Sequence, residues 1–291
     1  MLNKDFLLYI ENAINQYHST PIKIIDYKQL HGGSVNFSYH LQTSKSSFFI
    51  KINQQKAFPL MFEKELNGLI HLSEFFYVPE FICKGEYADL SFLVLDYVET
   101  HQANNQFWQC FGEKLALLHQ NTAKQFGYKE DNYNGSLKQL NSEKQTWSEF
   151  FVENRLMIQC QLARDNQSID ALFVSQFEKI YPKIAEIFPT EKPSLLHGDL
   201  WSGNFLIGKN DTPILIDPAV YYGHREVDIA MSLLFGGFDK QFYTHYNEQF
   251  PLEKGWESRV DIANLYPLMV HVNLFGASYA QRVKSVIKRL V

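Results

Sequence analysis

The stretch His197-Gly198-Asp199-Leu200-Trp201-Ser202-Gly203-Asn204, with the Ile216-Asp217-Pro218 that follows, sets out a carboxylate, a carboxamide and a second carboxylate. This spacing suits the transfer of a phosphoryl group to a hydroxyl. Such a transfer asks little covalent chemistry of a protein, so the work is to place the acceptor hydroxyl and to neutralise charge on the phosphates. Asp199 is the candidate catalytic residue, accepting the hydroxyl proton or aiming the hydroxyl at the γ-phosphorus. Asn204 and Asp217 offer hard oxygen ligands suited to Mg²⁺, which makes ATP and Mg²⁺ the expected cofactors. His197 is expected to support the loop. A helix N-cap in a polar turn would account for Asp199 alone, but for neither Asn204 nor Asp217. Asp228, in Glu226-Val227-Asp228-Ile229, reads as the acceptor of hydrogen bonds from the loop backbone.

Upstream, Phe48-Phe49-Ile50-Lys51 ends a strand with a lysine placed to hold the α- and β-phosphates. A helix carrying Glu63 and Glu65 follows closely. Glu65 is the expected partner of Lys51, because turning it inward keeps Leu66, Leu69 and Leu72 near the core; Glu63 is held in reserve. Gly32-Gly33-Ser34-Val35-Asn36 lies between two strands, where backbone N–H groups, Ser34 and Asn36 could approach the phosphates, although two glycines also mark a simple hairpin turn. Leu93-Val94-Leu95-Asp96-Tyr97-Val98 leads from sheet to helices, so the backbone at Asp96 and Val98 is where an adenine would be hydrogen-bonded. Only eleven positions separate Asp217 from Asp228, too few for an activation segment that binds an extended peptide. Asp217 is also followed by Pro218 rather than Phe-Gly. The expected acceptor is therefore a small molecule, or a small adduct carried on something larger.

These residues need a small sheet and a larger helical body to position them. Leu2, Phe6, Ile10, Ile14 and Tyr17 recur at helical spacing, and from Ile22 to Ile52 short β-type runs read as antiparallel strands. Phe62, Leu66, Leu69 and Ile70 mark one face of a helix, and Leu90 to Val98 a buried strand. Helical patterns then run over Phe107–Thr122, Glu143–Asp165, Ile169–Ile187, Val227–Phe235, Phe238–Gln249 and Val260–Leu290. A β-hairpin interrupts them, with Phe205-Leu206-Ile207 and Ile214-Leu215-Ile216 flanking a polar turn. The expected fold is α+β and bilobal, with an N-terminal lobe over 1–98 and a mainly helical C-terminal lobe over 99–291.

A chain of 291 residues, 45% hydrophobic and 20% charged, can bury a core in each of two lobes. A net charge of -5 without a Lys/Arg block argues against nucleic acid as a partner. Three cysteines, Cys83, Cys110 and Cys160, have no paired spacing, which argues against a disulfide scaffold or a CxxC site. No apolar run reaches the roughly 18 residues of a membrane span, and polar residues interrupt Met1 to Tyr17, so neither a membrane nor a signal peptide is expected. The expected compartment is the cytoplasm.

The segments LLHGDLWSGNFL, the IDP after it and MFEKELNGL upstream resemble the fructosamine kinase (ketosamine 3-kinase) family, relatives of aminoglycoside and choline kinases. FGYKEDNYNGS with Gln139, Asn141, Trp147, Phe150-Phe151 and Arg155 resembles the family's characteristic insert, and Tyr266 with Asn273-Leu274-Phe275-Gly276 its C-terminal helix. The resemblance covers nearly the whole chain. HGD with a distant IDP is shared by many small-molecule kinases, whereas Trp201 after Asp199-Leu200, together with that insert, is specific to this family. It implies a protein-kinase-like fold and ATP-dependent phosphorylation of the 3-hydroxyl of a ketosamine, after which the product breaks down and frees the amine. It also implies Asp199 as proton acceptor, Asn204 and Asp217 as metal ligands, Lys51 and Glu65 as the phosphate-anchoring pair, and Asp96, Tyr97 and Val98 as the adenine-contacting hinge. Trp201 would face the acceptor as an apolar floor for a sugar ring, or lock the loop as a core tryptophan. His271 could line the same cleft, while His119 is expected to be structural. Some relatives carry a cysteine in the phosphate-loop strand that joins two subunits; Gly33-Ser34-Val35-Asn36 has none, so that redox control is not inherited. The alternatives are an aminoglycoside- or choline-type phosphotransferase, whose site should present several acidic side chains to a polycation, and a nucleotide-binding pseudokinase. The Asn-rich, aromatic insert around Asn132 to Trp147 suits neutral hydroxyls better than polycations. Against the pseudokinase, Lys51, Glu65, Asp199, Asn204 and Asp217 are all present.

Overall fold

Period-two alternation along the central strands decides which side chains of the sheet meet which helix. The structure, a computed structural model, describes residues 2–17, 21–30 and 35–290. Helix α1 (Lys4–Asn15) is started by Asn3, whose side chain accepts the Phe6 N–H at 2.8 Å. Strands β1 (Ile24–Leu30), β2 (Phe37–Thr43), β3 (Ser47–Gln54), β4 (Phe81–Tyr87) and β5 (Leu90–Asp96) form an antiparallel five-stranded sheet in the order β1-β2-β3-β5-β4. Phe48, Ile50 and Ile52 of β3, with Phe92 and Val94 of β5, point to one face and pack with Phe6, Ile10 and Ile14 of α1. The intervening Phe49, Leu93 and Leu95 point to the other face, where helix α2 (Met61–Leu72) packs Phe62 and Leu69 upon them. Lys51 therefore emerges on the α2 side. The buried stripe of α2 runs through Met61, Phe62, Leu69 and Leu72, so Ile70, expected on the inner face, is 58% exposed. A one-residue step on a helix turns a side chain by about 100°, which carries position 70 away from the stripe set by 62 and 69.

The remaining elements are helices interrupted by very short strands. They are α3 (Asn105–Gln120), β6 (Asn132–Asn134), β7 (Leu137–Gln139), α4 (Trp147–Phe151), α5 (Met157–Asp165), α6 (Ala171–Glu178), α7 (Ile184–Ile187), β8 (Ser194–Leu196), β9 (Phe205–Ile207), β10 (Pro213–Leu215), β11 (Tyr221–Gly223), α8 (Glu226–Leu234), α9 (Lys240–Gln249), α10 (Trp256–Ala263), α11 (Leu265–Phe275) and α12 (Ala280–Leu290). The expected helix over Glu143–Asp165 is three pieces, because a π-helical turn over Val152–Leu156 separates α4 from α5. The one over Ile169–Ile187 breaks at a 3₁₀ turn containing Pro182. The one over Val260–Leu290 is likewise divided, at Asn264 and at Gly276 with φ +94°. Strands β9 and β10 form the hairpin, and β6/β7 and β8/β11 are further antiparallel pairs.

The chain resolves into two compact units, Met1–Gln102 with Leu206–Ile216, and Ala103–Phe205 with Asp217–Val291. The two lobes read from the sequence are continuous stretches, whereas here the hairpin Leu206–Ile216 groups with the first unit. The Leu215 N–H donates to the Tyr77 carbonyl at 3.0 Å, and the Ile207 carbonyl accepts the His101 N–H at 2.9 Å. In the second unit Phe111 meets Phe205 and Phe242 with ring centroids 5.1 Å apart in each case, forming part of its aromatic core. No helix among the described residues is long and apolar enough to cross a membrane.

Candidate active site

Strand β8 delivers the chain directly into His197-Gly198-Asp199, and its partner β11 is set opposite it in register, Tyr221 against Leu196. Gly198 has φ +83°, and a Cβ there would stand 2.1 Å from the Ala219 carbonyl oxygen, so a side chain is excluded on both counts. Asp228, in the first turn of α8, accepts the His197 N–H at 2.7 Å and the Gly198 N–H at 3.0 Å. Its Oδ2 also lies 3.3 Å from Nε2 of His119. A carboxylate only accepts, which assigns the His119 proton to Nε2 and leaves Nδ1 to accept the Tyr246 hydroxyl at 2.8 Å. Burial holds His119 below the usual histidine range, so it serves as a neutral donor. Nδ1 of His197 accepts the Asp199 N–H at 3.3 Å, which bends the loop back upon itself.

Asp199 leaves this turn partly exposed. Nδ2 of the buried Asn204 donates to its Oδ2 and to its backbone carbonyl, both at 2.9 Å. Oδ1 of Asp199 has no protein partner among the described residues. Burial pushes this carboxyl up from 3.8 to about 7; the Asn204 hydrogen bond opposes the shift, and the charges of Asp217 and Asp228 add to it. A carboxylate with that affinity for a proton is matched to general-base work near neutrality. Asp217 is exposed and sits at φ +54°, in the left-handed region where a residue with a β-carbon is uncommon.

Asn204 spends its amide N–H groups on Asp199, so its carboxamide oxygen is the atom left for a cation, and Asp217 supplies a carboxylate. Among the described residues no cluster of three or more His, Cys, Asp or Glu side chains could hold a metal alone. Two hard oxygen ligands, with the rest of the coordination shell left to phosphate and water, fit the habits of Mg²⁺.

The indole of Trp201 folds over Gly203, where a Cβ would come within 2.3 Å of Cη2. Trp201 also meets Phe235 edge to face at 6.1 Å, and Phe235 lies 4.9 Å from the ring of His271. Nδ1 of His271 donates to the Pro267 carbonyl at 2.8 Å; burial lowers its pKa, so Nε2 is left as an acceptor. Trp201 and His271 are thus joined through Phe235, a 40% exposed residue that spacing alone did not single out. Its position in Leu233-Leu234-Phe235-Gly236-Gly237, an apolar run cut by two glycines, was the available signal.

In the first unit, Nζ of Lys51 is 2.7 Å from Oε1 of Glu65 with both side chains nearly buried, while Glu63 pairs with Lys84 at 2.9 Å. Asn36 accepts from Nδ2 of Asn53 at 3.2 Å. Ser34 lies outside the described residues. The Asp96 side chain is occupied in accepting the Glu80 N–H, and Tyr97 stacks on His40 at 4.0 Å. Val98, beyond the end of β5, pairs neither its N–H nor its carbonyl among the described residues.

The insert departs from expectation. The stretch around Asn132 to Trp147 was expected to suit the neutral hydroxyls of an acceptor, but its amide side chains Asn132, Asn134, Gln139 and Asn141 are buried, and Asn132 and Gln139 donate to the carbonyls of Val220 and Ala219. Amide-rich sequence looks the same whether its amides face a ligand or the backbone.

A family model described as fructosamine kinase matches residues 8–291. A probable ketoamine kinase of Enterococcus faecium is 40% identical over 261 residues, covering 88% of this chain and 92% of the relative. The solved structure of a candidate fructosamine-3-kinase from Haemophilus somnus 129PT superposes with a TM-score of 0.88 at 29% identity, covering 97% of this chain and 96% of that one. An aminoglycoside phosphotransferase solved with ADP and hygromycin B superposes with a TM-score of 0.64 over 98% of both chains. At 14% identity that likeness concerns the kinase-like fold alone.

Proposed function

The chain belongs to the fructosamine kinase family, and from that premise we propose that it transfers the γ-phosphoryl group of ATP to the 3-hydroxyl of a ketosamine. The observation that carries the reading is the Asp199 carboxyl, with one oxygen held by Asn204 and the other without a protein partner among the described residues, in surroundings whose burial pushes its pKa up to about 7. Its Oδ1 takes the proton as the hydroxyl oxygen attacks the γ-phosphorus; the bond to the β–γ bridging oxygen breaks and ADP leaves. Lys51, aligned by Glu65, takes the α- and β-phosphates, and the backbone of Asp96 to Val98 takes the adenine. The Asn204 carboxamide oxygen and the Asp217 carboxylate would hold Mg²⁺, which would offset the charge that develops on the phosphates. The Trp201 indole is a floor for the sugar, with His271 beside it. Phosphate at C3 is a better leaving group than the hydroxyl it replaces: once the ketosamine enolises by losing a C1 proton, inorganic phosphate departs, and water hydrolyses the resulting imine to free the amine.

Purified protein with Mg²⁺ and ATP is offered fructoselysine, ribuloselysine, an aminoglycoside and choline while ADP is measured, and products are followed by phosphorus NMR. A new phosphomonoester on a ketosamine, followed by free inorganic phosphate and amine, is the expected outcome. ADP no higher with either ketosamine than without an acceptor would sink the reading.

A further inference from the structure

The insert that precedes α5 keeps an arginine wholly inside the second unit. A π-helical turn is wider than an α-helical one, and over Val152–Leu156 it lets the consecutive residues Asn154, Arg155 and Leu156 all be buried. The Arg155 guanidinium lies over the rings of Tyr221 at 4.2 Å, Phe150 at 4.5 Å and Tyr266 at 5.1 Å. It donates to the Leu140 carbonyl and, at 2.7 Å, to Oδ1 of Asn141.

A guanidinium can only donate, so Asn141 must present its oxygen to Arg155 and its Nδ2 elsewhere. That Nδ2 donates to Oδ1 of Asn132 at 3.0 Å, and Asn132 in turn directs Nδ2 to the Val220 carbonyl at 2.8 Å. Gln139 Nε2 donates to the same Asn132 oxygen at 2.8 Å and to the Ala219 carbonyl at 3.0 Å, while its Oε1 accepts the Tyr266 hydroxyl at 2.7 Å. With a pure donor at one end and two pure acceptors at the other, every amide in the relay has a single orientation.

The two carbonyls at the end of the relay belong to the segment that follows Asp217-Pro218. The Ala219 N–H donates to the His197 carbonyl at 2.9 Å, on the loop that carries Asp199. Asp217 itself sits at φ +54°, a backbone conformation that residues with a β-carbon seldom adopt, so its surroundings must hold it there. We propose that the amide relay from Arg155 through Asn141, Asn132 and Gln139 is a positioning device that fixes the Asp217 turn against the Asp199 loop, with Gln139 as its pivot. This rests on the reading of Asp217 as a metal ligand.

Gln139→Glu keeps the size of the side chain but replaces both N–H donors with an acceptor facing a carbonyl; Tyr266→Phe removes only the hydroxyl that orients Gln139. The readouts are Mn²⁺ binding in the presence of a non-hydrolysable ATP analogue, metal-free nucleotide binding, and the thermal midpoint. In folded Gln139→Glu, Mn²⁺ affinity falls on the order of 10-fold, metal-free nucleotide binding stays within about twofold, and excess Mg²⁺ restores much of the turnover. Tyr266→Phe moves Mn²⁺ affinity the same way by about 2- to 5-fold, and it decides the question if the glutamate variant does not fold. Wild-type Mn²⁺ affinity in folded Gln139→Glu, or in Tyr266→Phe should the former not fold, overturns the proposal. Failure of the substrate reading shows separately, as wild-type protein that binds Mn²⁺ with nucleotide yet phosphorylates no ketosamine.

Discussion

In the first unit the Lys51 ammonium and the Glu65 carboxylate neutralise each other at 2.7 Å on one face of a sheet, whereas in the second unit Asp199 has Asp217 and Asp228 as electrostatic neighbours that make its own charge harder to hold. The first arrangement is complete as it stands. The second is held in place by hydrogen bonds, from Asn204 to Asp199 and from the loop backbone to Asp228, and it keeps a repulsion that a cation and a proton would relieve. Stability and function are therefore distributed unequally. The paired charges can contribute to folding, while the clustered carboxylates detract from it and become useful when ligands arrive.

The sharpest way to break this comparison is Asp199→Ala, expected to lower kcat by about 10²–10⁴ while nucleotide affinity stays within about threefold. Steady-state kinetics with parallel nucleotide titration would check it, and retained turnover would remove Asp199 from the chemistry. Asp217→Ala is expected to weaken metal-dependent nucleotide binding by about 10- to 100-fold, read by Mn²⁺ titration with an ATP analogue; undiminished binding would take the carboxylate out of the metal site.

Glu65→Ala tests the other side, because it leaves the buried Lys51 without the carboxylate it now touches. A loss on the order of 3 kcal/mol in urea unfolding is expected, with a higher KM for ATP. Glu63→Ala, which breaks only the partly exposed pair with Lys84, should change stability by no more than about 0.5 kcal/mol. Equal losses in the two variants would dissolve the distinction between them.

A further effect concerns pH. The folded chain holds the Asp199 proton more tightly than the ordinary 3.8, so the ionised carboxylate lowers stability above about pH 7 and that penalty is gone below about pH 4. Metal-free Asp199→Asn is therefore expected to be more stable than wild type at pH 8 by about 1–2 kcal/mol, allowing for partial exposure, with the difference closing as pH falls. A difference that is flat across pH 4 to 8, in thermal unfolding at several pH values, would show that burial does not act on this carboxyl as described.

Much of the fold was legible because its elements carry period. The apolar spacing of Phe6, Ile10 and Ile14 marked α1, and Leu93-Val94-Leu95 marked β5. Strand β4 went unread, since Phe81-Ile82-Cys83-Lys84-Gly85-Glu86-Tyr87 lacks clean alternation, and the three-residue strands β6, β7, β8 and β11 are too short to show any. The hairpin was visible from its apolar arms and polar turn, but its grouping with Met1–Gln102 rests on backbone hydrogen bonds to Tyr77 and His101, which no side-chain pattern encodes. At the site, Asp199, Asn204 and Asp217 stood out by type and spacing. Phe235 and the inward direction of the Asn132 and Gln139 amides did not.

What residue order alone determined was the inventory of chemistry: a carboxylate, a carboxamide and a second carboxylate close in the chain, and a strand lysine with an acidic helix downstream. Covalent proximity and period suffice for that. The three-dimensional fold decided what each group touches, sending Lys51 to Glu65 and Lys84 to Glu63, placing Asp228 beneath the loop, and spending the insert's amides on the carbonyls of Ala219 and Val220. Those outcomes depend on burial and on hydrogen-bond direction between residues far apart in sequence, and neither exists until the chain has packed.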